Sequence, residues 1–93
     1  MREAEKAWEN ELEAVSEACF SYLVQHPQDL QRFMAETGYD PDSIGKAVGT
    51  RALALGMLDY FVRTEPLLLA MCANAGLEPE RITTLWQRLN PEA

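Results

Sequence analysis

The sequence is poor in the residue types that most often carry catalysis or bind metal ions. It contains one histidine and two cysteines. These three residues lie in unrelated segments, so no zinc-ligand spacing is present. It also lacks a glycine-rich phosphate loop and a serine in a G-x-S-x-G context. Carboxylates at the predicted helix starts are explained by capping and the helix dipole. We therefore expect no catalytic residues, no metal site and no cofactor, and we do not expect an enzyme.

Positive charge is also scarce. Eight Lys and Arg residues against fifteen Asp and Glu residues give a net charge of −7. This balance opposes binding to phosphate backbones and to anionic lipid, so nucleic acid is a disfavoured partner and no membrane partner is expected. The charge is compatible with a protein partner that offers a basic or apolar surface, or with a homodimer.

The sequence has no apolar run long enough for a membrane span. Residues 1–14 are charged throughout and lack the apolar stretch of a signal peptide. The longest uncharged run of the apolar region, residues 66–77, is too short to span a bilayer as a helix. We therefore expect a cytoplasmic protein. In that reducing compartment, Cys19 and Cys72 are expected to be packed free thiols rather than a disulfide.

Apolar residues are most concentrated between positions 51 and 77. Pro66 divides this segment into two predicted helices, which should form a hairpin in the middle of the domain. Residues 67–73 carry no polar side chain, so the second helix is predicted to be enclosed by other helices on all sides. The first helix has apolar residues at helical spacing, namely Ala54, Met57, Leu58 and Phe61.

A long first helix is predicted for residues 2–25. Its large apolar residues follow the spacing of a heptad seam and are Trp8, Leu12, Val15, Cys19 and Tyr22. Residues 1–11 form an acidic N-terminal extension of this helix, and such a charge run is usually a solvated face. Trp8, Leu12 and Val15 are the candidate interaction surface, with burial against the chain's own core as the alternative.

Prolines mark where the other helices begin. A proline suits the first helical position, and the prolines in question are Pro27, Pro41, Pro66 and Pro79. Asn90-Pro91 is predicted to end the last helix. The third helix is expected to be short, as a single distorted turn, because Gly45 and Gly49 weaken it. Its inward residues are predicted to be Ile44, Ala47 and Val48.

Two helix junctions share one pattern, GYDPDSI at residues 38–44 and GLEPERI at residues 76–82. In each, a glycine ends one helix, an acidic residue caps the next, a proline follows, and an isoleucine points inward. With the helices before them, segments 27–44 and 66–82 resemble a weak internal repeat, and the alternative is that any two well-capped helix corners share this pattern.

The same junctions match the packing skeleton of a helix-turn-helix, which has a glycine in the turn and an apolar residue directly after it. The candidate recognition helices carry Lys46, Arg81 and Arg88, and acidic neighbours offset these charges. A DNA reader normally presents a basic face. A nucleic-acid-binding regulator is therefore the alternative interpretation.

Three segments together carry a resemblance to a known family. They are FSYLVQHPQDLQRFMAETGYDP, LDYFVRTEPLLLAMCANAGLEPERI and the apolar tail TLWQRL. From about Leu12 to Leu89 the chain resembles a family of short alphaproteobacterial proteins classed as a domain of unknown function, and the acidic residues before Leu12 lie outside the shared pattern. The resemblance implies a compact helical cytoplasmic bacterial protein and brings no activity and no site residues.

These observations predict one all-α domain over residues 1–93, a compact bundle of five or six helices with a long N-terminal helix. The predicted core residues are Leu30, Phe33, Leu58, Phe61, Leu67, Leu68, Met71, Ile82 and Leu85. The leading hypothesis for function is a non-catalytic protein–protein interaction module, with an unknown protein partner or a second copy of the chain. It depends on the acidic, heptad-patterned first helix and on the lack of a catalytic set.

Overall fold

The computed structural model describes the backbone of residues 2–90 and the side chains of residues 6–90, and within that range it contains six α-helices and no strand. The helices are α1 (Arg2–Gln25), α2 (Pro27–Thr37), α3 (Pro41–Ala47), α4 (Arg51–Arg63), α5 (Glu65–Ala75) and α6 (Pro79–Leu89). The predicted all-α fold with a long N-terminal helix is confirmed. Pro91 lies outside the described residues. The helix before it ends at Leu89, where the Asn90 N–H donates to the Trp86 carbonyl at 2.9 Å.

Prolines begin the helices because their fixed φ angle suits the first turn and their missing N–H would have no partner there. Pro27, Pro41 and Pro79 are the first residues of α2, α3 and α6. The fifth helix begins one residue earlier than predicted, at Glu65, and Pro66 is its second residue.

Side-chain caps differ among the helices. Asp40 Oδ1 accepts from the Ser43 N–H at 2.8 Å, and Ser43 Oγ accepts from the Asp40 N–H at 3.0 Å, which completes a capping box. Glu78, the acidic residue at the equivalent place before α6, makes no capping hydrogen bond. The prediction that an acidic residue caps both helices is therefore correct for α3 and wrong for α6. Thr50 caps α4, because its Oγ1 accepts from the Leu53 N–H at 3.2 Å.

Glycines end α2 and α5 as predicted. Gly38 and Gly76 have φ angles of 85° and 71°, in the left-handed region where a residue without Cβ is favoured. The Leu77 N–H then reaches back to the Cys72 carbonyl at 2.9 Å, which closes the end of α5.

The third helix is more regular than expected. α3 is a seven-residue helix and not a single distorted turn. Only Gly45 lies inside it, because Gly49 follows the helix in the loop to α4. Ile44 is buried and Ala47 is half-buried, as predicted. Val48 is 51% exposed, so its prediction as an inward residue was wrong. It is the residue directly after the helix, where the chain turns away from the core.

The centre of the core is α4 and not α5. The fourth helix packs against α1, α3, α5 and α6. The fifth helix buries one face and exposes the other, where Leu69 is 48% exposed beside Ala70 and Ala73. The prediction that this helix is enclosed on all sides is therefore wrong. Alanine leaves little apolar area in water, so an uninterrupted apolar run still permits an exposed face. Of the predicted core residues, all are buried except Leu30, which is half-buried.

The first helix lies along α4 and gives the domain its long dimension. Its 24 residues correspond to about 36 Å at 1.5 Å per residue, close to the largest extent of 38 Å. Glu9 contacts Arg51 at the start of α4, and the Tyr22 and Phe61 rings meet edge to face near its end. The two helices therefore run in the same direction, and the surface between them combines residues from distant parts of the chain.

Candidate functional site

Two of the three residues predicted as an interaction surface belong to the core. Leu12 and Val15 are 2% and 4% exposed, and they lie on the side of α1 that packs against the rest of the bundle. The alternative, burial against the chain's own core, applies to both. At these two positions the heptad seam of the first helix packs within one chain.

Trp8 is half-buried and packs against the edge of the same core. The Arg88 guanidinium of α6 lies over its ring, with Cζ 5.1 Å from the ring centroid. This distance is typical of a cation–π contact. Trp8 therefore connects α1 to α6 inside the domain.

The acidic extension is held to the domain from Trp8 onward. Glu9 and Arg51 form a two-pronged ion pair, with N–O distances of 2.7 and 2.8 Å. The hydrogen bond from Arg51 lowers the pKa of the Glu9 carboxyl below its usual value. Glu11 pairs with Arg81 of α6 at 2.7 Å. The negative charge at this end of α1 is therefore partly matched by cations of the chain's own helices.

These contacts bear on the helix-turn-helix alternative. The fifth and sixth helices pack against each other across the Gly76 corner, as such a motif requires. Both arginines of the candidate recognition helix, however, contact α1. Arg81 pairs with Glu11, and Arg88 covers Trp8. In α3, Lys46 pairs with Asp42 at 3.2 Å. All three cations of the two candidate recognition helices therefore have a partner within the chain.

The described residues form a groove between α1 and α4, which we name the α1–α4 groove. It has a volume of about 410 Å³ and is open to solvent along one side. Its lining combines residues of α1, of the loop after α3 and of the first half of α4. The floor is apolar and consists of Leu12, Leu53, Ala54 and Met57, with Phe20 and Val48 at the sides.

The rim of the α1–α4 groove is acidic. Glu9, Glu13 and Glu17 follow one another at intervals of one helical turn along α1. Arg51 lies opposite, but its charge is matched by Glu9. Glu13 and Glu17 are exposed, and among residues 6–90 neither has an ion-pair partner. Carboxylates beside an apolar floor suit a ligand that combines apolar groups with positive charge.

Sequence reasoning missed this groove for identifiable reasons. Phe20 lies one position beyond the heptad seam, and Val48 was predicted to point inward. A signal was present in the first helix, where Glu13, Glu17 and Phe20 recur at intervals of four and three residues. That spacing places the three side chains on one face beside the seam. Their opposite wall comes from residues near position 50, which sequence spacing cannot bring together with them.

The remaining side chains of the types that often carry chemistry are those of His26, Cys19 and Cys72. His26 Nδ1 lies 2.8 Å from the Tyr22 carbonyl, and its ring stacks on that tyrosine. Burial raises the pKa of the Cys19 thiol to about 12 and also raises that of Cys72. Both thiols are free, and such raised values make poor nucleophiles. Among the described residues, no three His, Cys, Asp or Glu side chains lie together as a metal site.

Six packed helices with an open, acid-rimmed groove define a small all-α domain. The chain belongs to the family described as "Protein of unknown function (DUF3572)", whose sequence profile matches residues 9–92. This confirms the resemblance to a domain of unknown function. The match begins before Leu12, so Glu9 and Glu11, predicted to lie outside the shared pattern, are inside it. No curated protein and no solved structure matches the chain. None of the helices described over residues 2–90 is long and apolar enough to cross a membrane.

Proposed function

We propose that this protein is a non-catalytic protein–protein interaction module that binds its partner in the α1–α4 groove. The observation that carries the proposal is the combination of an apolar floor, an exposed Val48 and an acidic rim in one open groove. A groove open along one side suits a polypeptide segment, because a chain can lie along it while its backbone stays solvated.

The surroundings of the titratable groups support a binding role over a catalytic one. Asp59 accepts from the Trp86 indole N–H at 3.0 Å and pairs with Arg63 at 2.9 Å. Tyr60 donates to Glu36 at 2.6 Å, and burial raises the pKa of its hydroxyl to about 12. The bonds to Trp86 and Glu36 join α4 to α6 and to α2, the pair with Arg63 lies within α4, and none of these residues lines the groove. We also propose a cytoplasmic location, which the two free, buried cysteines support.

A helix-turn-helix regulator is the second candidate function, favoured by the left-handed Gly76 between two packed helices. It requires Arg81 and Arg88 to leave α1 and face a duplex. It predicts salt-sensitive duplex binding that Arg81→Glu and Arg88→Glu abolish.

Affinity capture of the tagged protein from its own cytosol, with and without nuclease and read by mass spectrometry, tests the proposed function. Val48→Glu places a charge at the side of the groove, and Val24→Glu is a matched control because Val24 is 54% exposed and does not line the groove. We expect a stoichiometric partner that the wild type and Val24→Glu retain and that Val48→Glu loses. Recovery that disappears with nuclease would favour the second candidate. Recovery of only the chain itself would favour self-association.

A further inference from the structure

We infer that the occupant of the α1–α4 groove is a basic amphipathic helix of another protein. This inference rests on the proposed function and specifies the chemistry of the partner. Its starting point is Glu13 and Glu17, two like charges one turn apart at the edge of an apolar floor. Like charges at this spacing are mutually unfavourable on a helix, and a cation placed between or above them relieves that repulsion.

The shape of the groove favours a helical occupant. One wall is α1, and the other is the first half of α4 with the loop before it. A third helix can pack into the depression between two helices through its own ridges of side chains. No strand edge is present over residues 2–90 to add an extended peptide by backbone hydrogen bonds. The α1 wall from Glu9 to Ser21 spans about 18 Å, which corresponds to about three turns of a docked helix.

The distribution of charge and apolar surface in the α1–α4 groove predicts a sequence pattern for the docked helix. Apolar side chains at i, i+3 or i+4, and i+7 would face Phe20, Ala54 and Val48 across the floor. Lysine or arginine side chains flanking that stripe would lie near Glu13 and Glu17. A second copy of this chain fits poorly, because the chain carries a net charge of −7 and the face of α1 that it would present carries the same acidic residues.

Selection from a displayed library of randomised helical peptides on the purified full chain tests this inference. We expect selected peptides to combine an apolar stripe with an excess of Lys and Arg, and to bind more weakly as salt concentration rises. The double substitution Glu13→Lys and Glu17→Lys should weaken their binding by about tenfold or more. The control, Glu78→Lys and Glu80→Lys, makes the same change in net charge outside the groove and should leave affinity nearly unchanged. Circular dichroism checks that both variants remain folded.

Selected peptides without excess positive charge, or binders equally weakened by both double variants, would overturn the inference, and so would a selection that yields no binder. These failures are distinguishable from failure of the proposed function. If Val48→Glu still removes a captured protein while the selection gives neutral or acidic peptides, the groove binds a protein of different chemistry. If no captured protein depends on Val48, the function itself is wrong.

Discussion

At the scale of single residues, Trp8 shows how an aromatic side chain in a charged segment is used within the domain. It lies half-buried at the edge of the core and beneath Arg88. A ring in this position contributes apolar burial and a cation–π contact, and both stabilise the docking of α1 on α6.

Replacing Trp8 by Ala should therefore lower the free energy of unfolding by about 1–3 kcal/mol, less than for a fully buried tryptophan. Lys6→Ala, at an exposed position on the same helix, should change it by at most about 0.5 kcal/mol. Urea denaturation followed by circular dichroism measures both, and sedimentation velocity checks the oligomeric state. Unchanged stability with a loss of self-association would contradict this role and restore Trp8 as an interface residue.

At the scale of helices, α5 has one buried and one exposed face despite its uninterrupted apolar run. Two adjacent leucines lie on the two faces. Leu68 is 5% exposed and Leu69 is 48% exposed.

Leu68→Ala should lower the free energy of unfolding by about 2–5 kcal/mol, because it leaves a cavity in the core. Leu69→Ala is the matched control and should change it by about 0.5 kcal/mol or less. Chemical denaturation of the two variants measures the difference. Equal losses would mean that α5 is enclosed on both faces, as its sequence alone suggests.

The cap of α3 predicts a pH dependence. The hydrogen bond from the Ser43 N–H lowers the pKa of the Asp40 carboxyl below its ordinary value of 3.8. A carboxyl with a lowered folded-state pKa contributes stability above its unfolded value and loses that contribution as pH falls through the folded one. Asp40→Asn keeps a capping acceptor and removes the titration.

Stability of Asp40→Asn should therefore decline less steeply than that of the wild type below about pH 4. Glu78→Gln, at the equivalent position without a capping hydrogen bond, should alter the acid limb less. Thermal melts from pH 2 to pH 7 compare the three proteins. An identical acid limb in Asp40→Asn and the wild type would show that the carboxylate cap adds nothing.

The boundaries of the helices were more predictable from the sequence than the exposure of their faces. Proline, glycine and threonine act through local dihedral angles and nearby hydrogen bonds, so Pro41, Gly76 and Thr50 mark helix boundaries from sequence alone. Exposure depends on distant packing. The apolar run of α5 gives no indication that one face of this helix is exposed. Likewise, nothing in the sequence around Val48 indicates that its side chain is exposed after α3. Predicting the groove requires both the helix boundaries and the packing of distant segments, because α1 and α4 are far apart in sequence.

At the scale of the whole molecule, the net charge of −7 is partly paired within the chain. Three arginines lie against acidic or aromatic side chains of α1, and they are Arg51, Arg81 and Arg88. Glu13 and Glu17, which have no ion-pair partner among residues 6–90, are the basis of the proposal that the partner in the α1–α4 groove is cationic.

The substitution Arg81→Glu tests whether Arg81 serves to hold α1 of its own chain or to contact a nucleic-acid duplex. It replaces the Glu11 ion pair by repulsion and should lower the free energy of unfolding by about 0.5–1 kcal/mol. Fluorescence anisotropy with a labelled duplex of mixed sequence should show no salt-sensitive binding by either the wild type or the variant. Salt-sensitive binding by the wild type that the variant loses would instead support a nucleic-acid-binding regulator.

Photo-crosslinking inside cells, from a benzophenone amino acid placed at position 48, tests most directly whether the α1–α4 groove binds another protein. Position 24, which is also exposed, is the matched control. Binding in the α1–α4 groove predicts a discrete nuclease-resistant conjugate with another protein from position 48 and not from position 24. Conjugates that are the same from both positions, or that contain only a second copy of the chain, would contradict the claim.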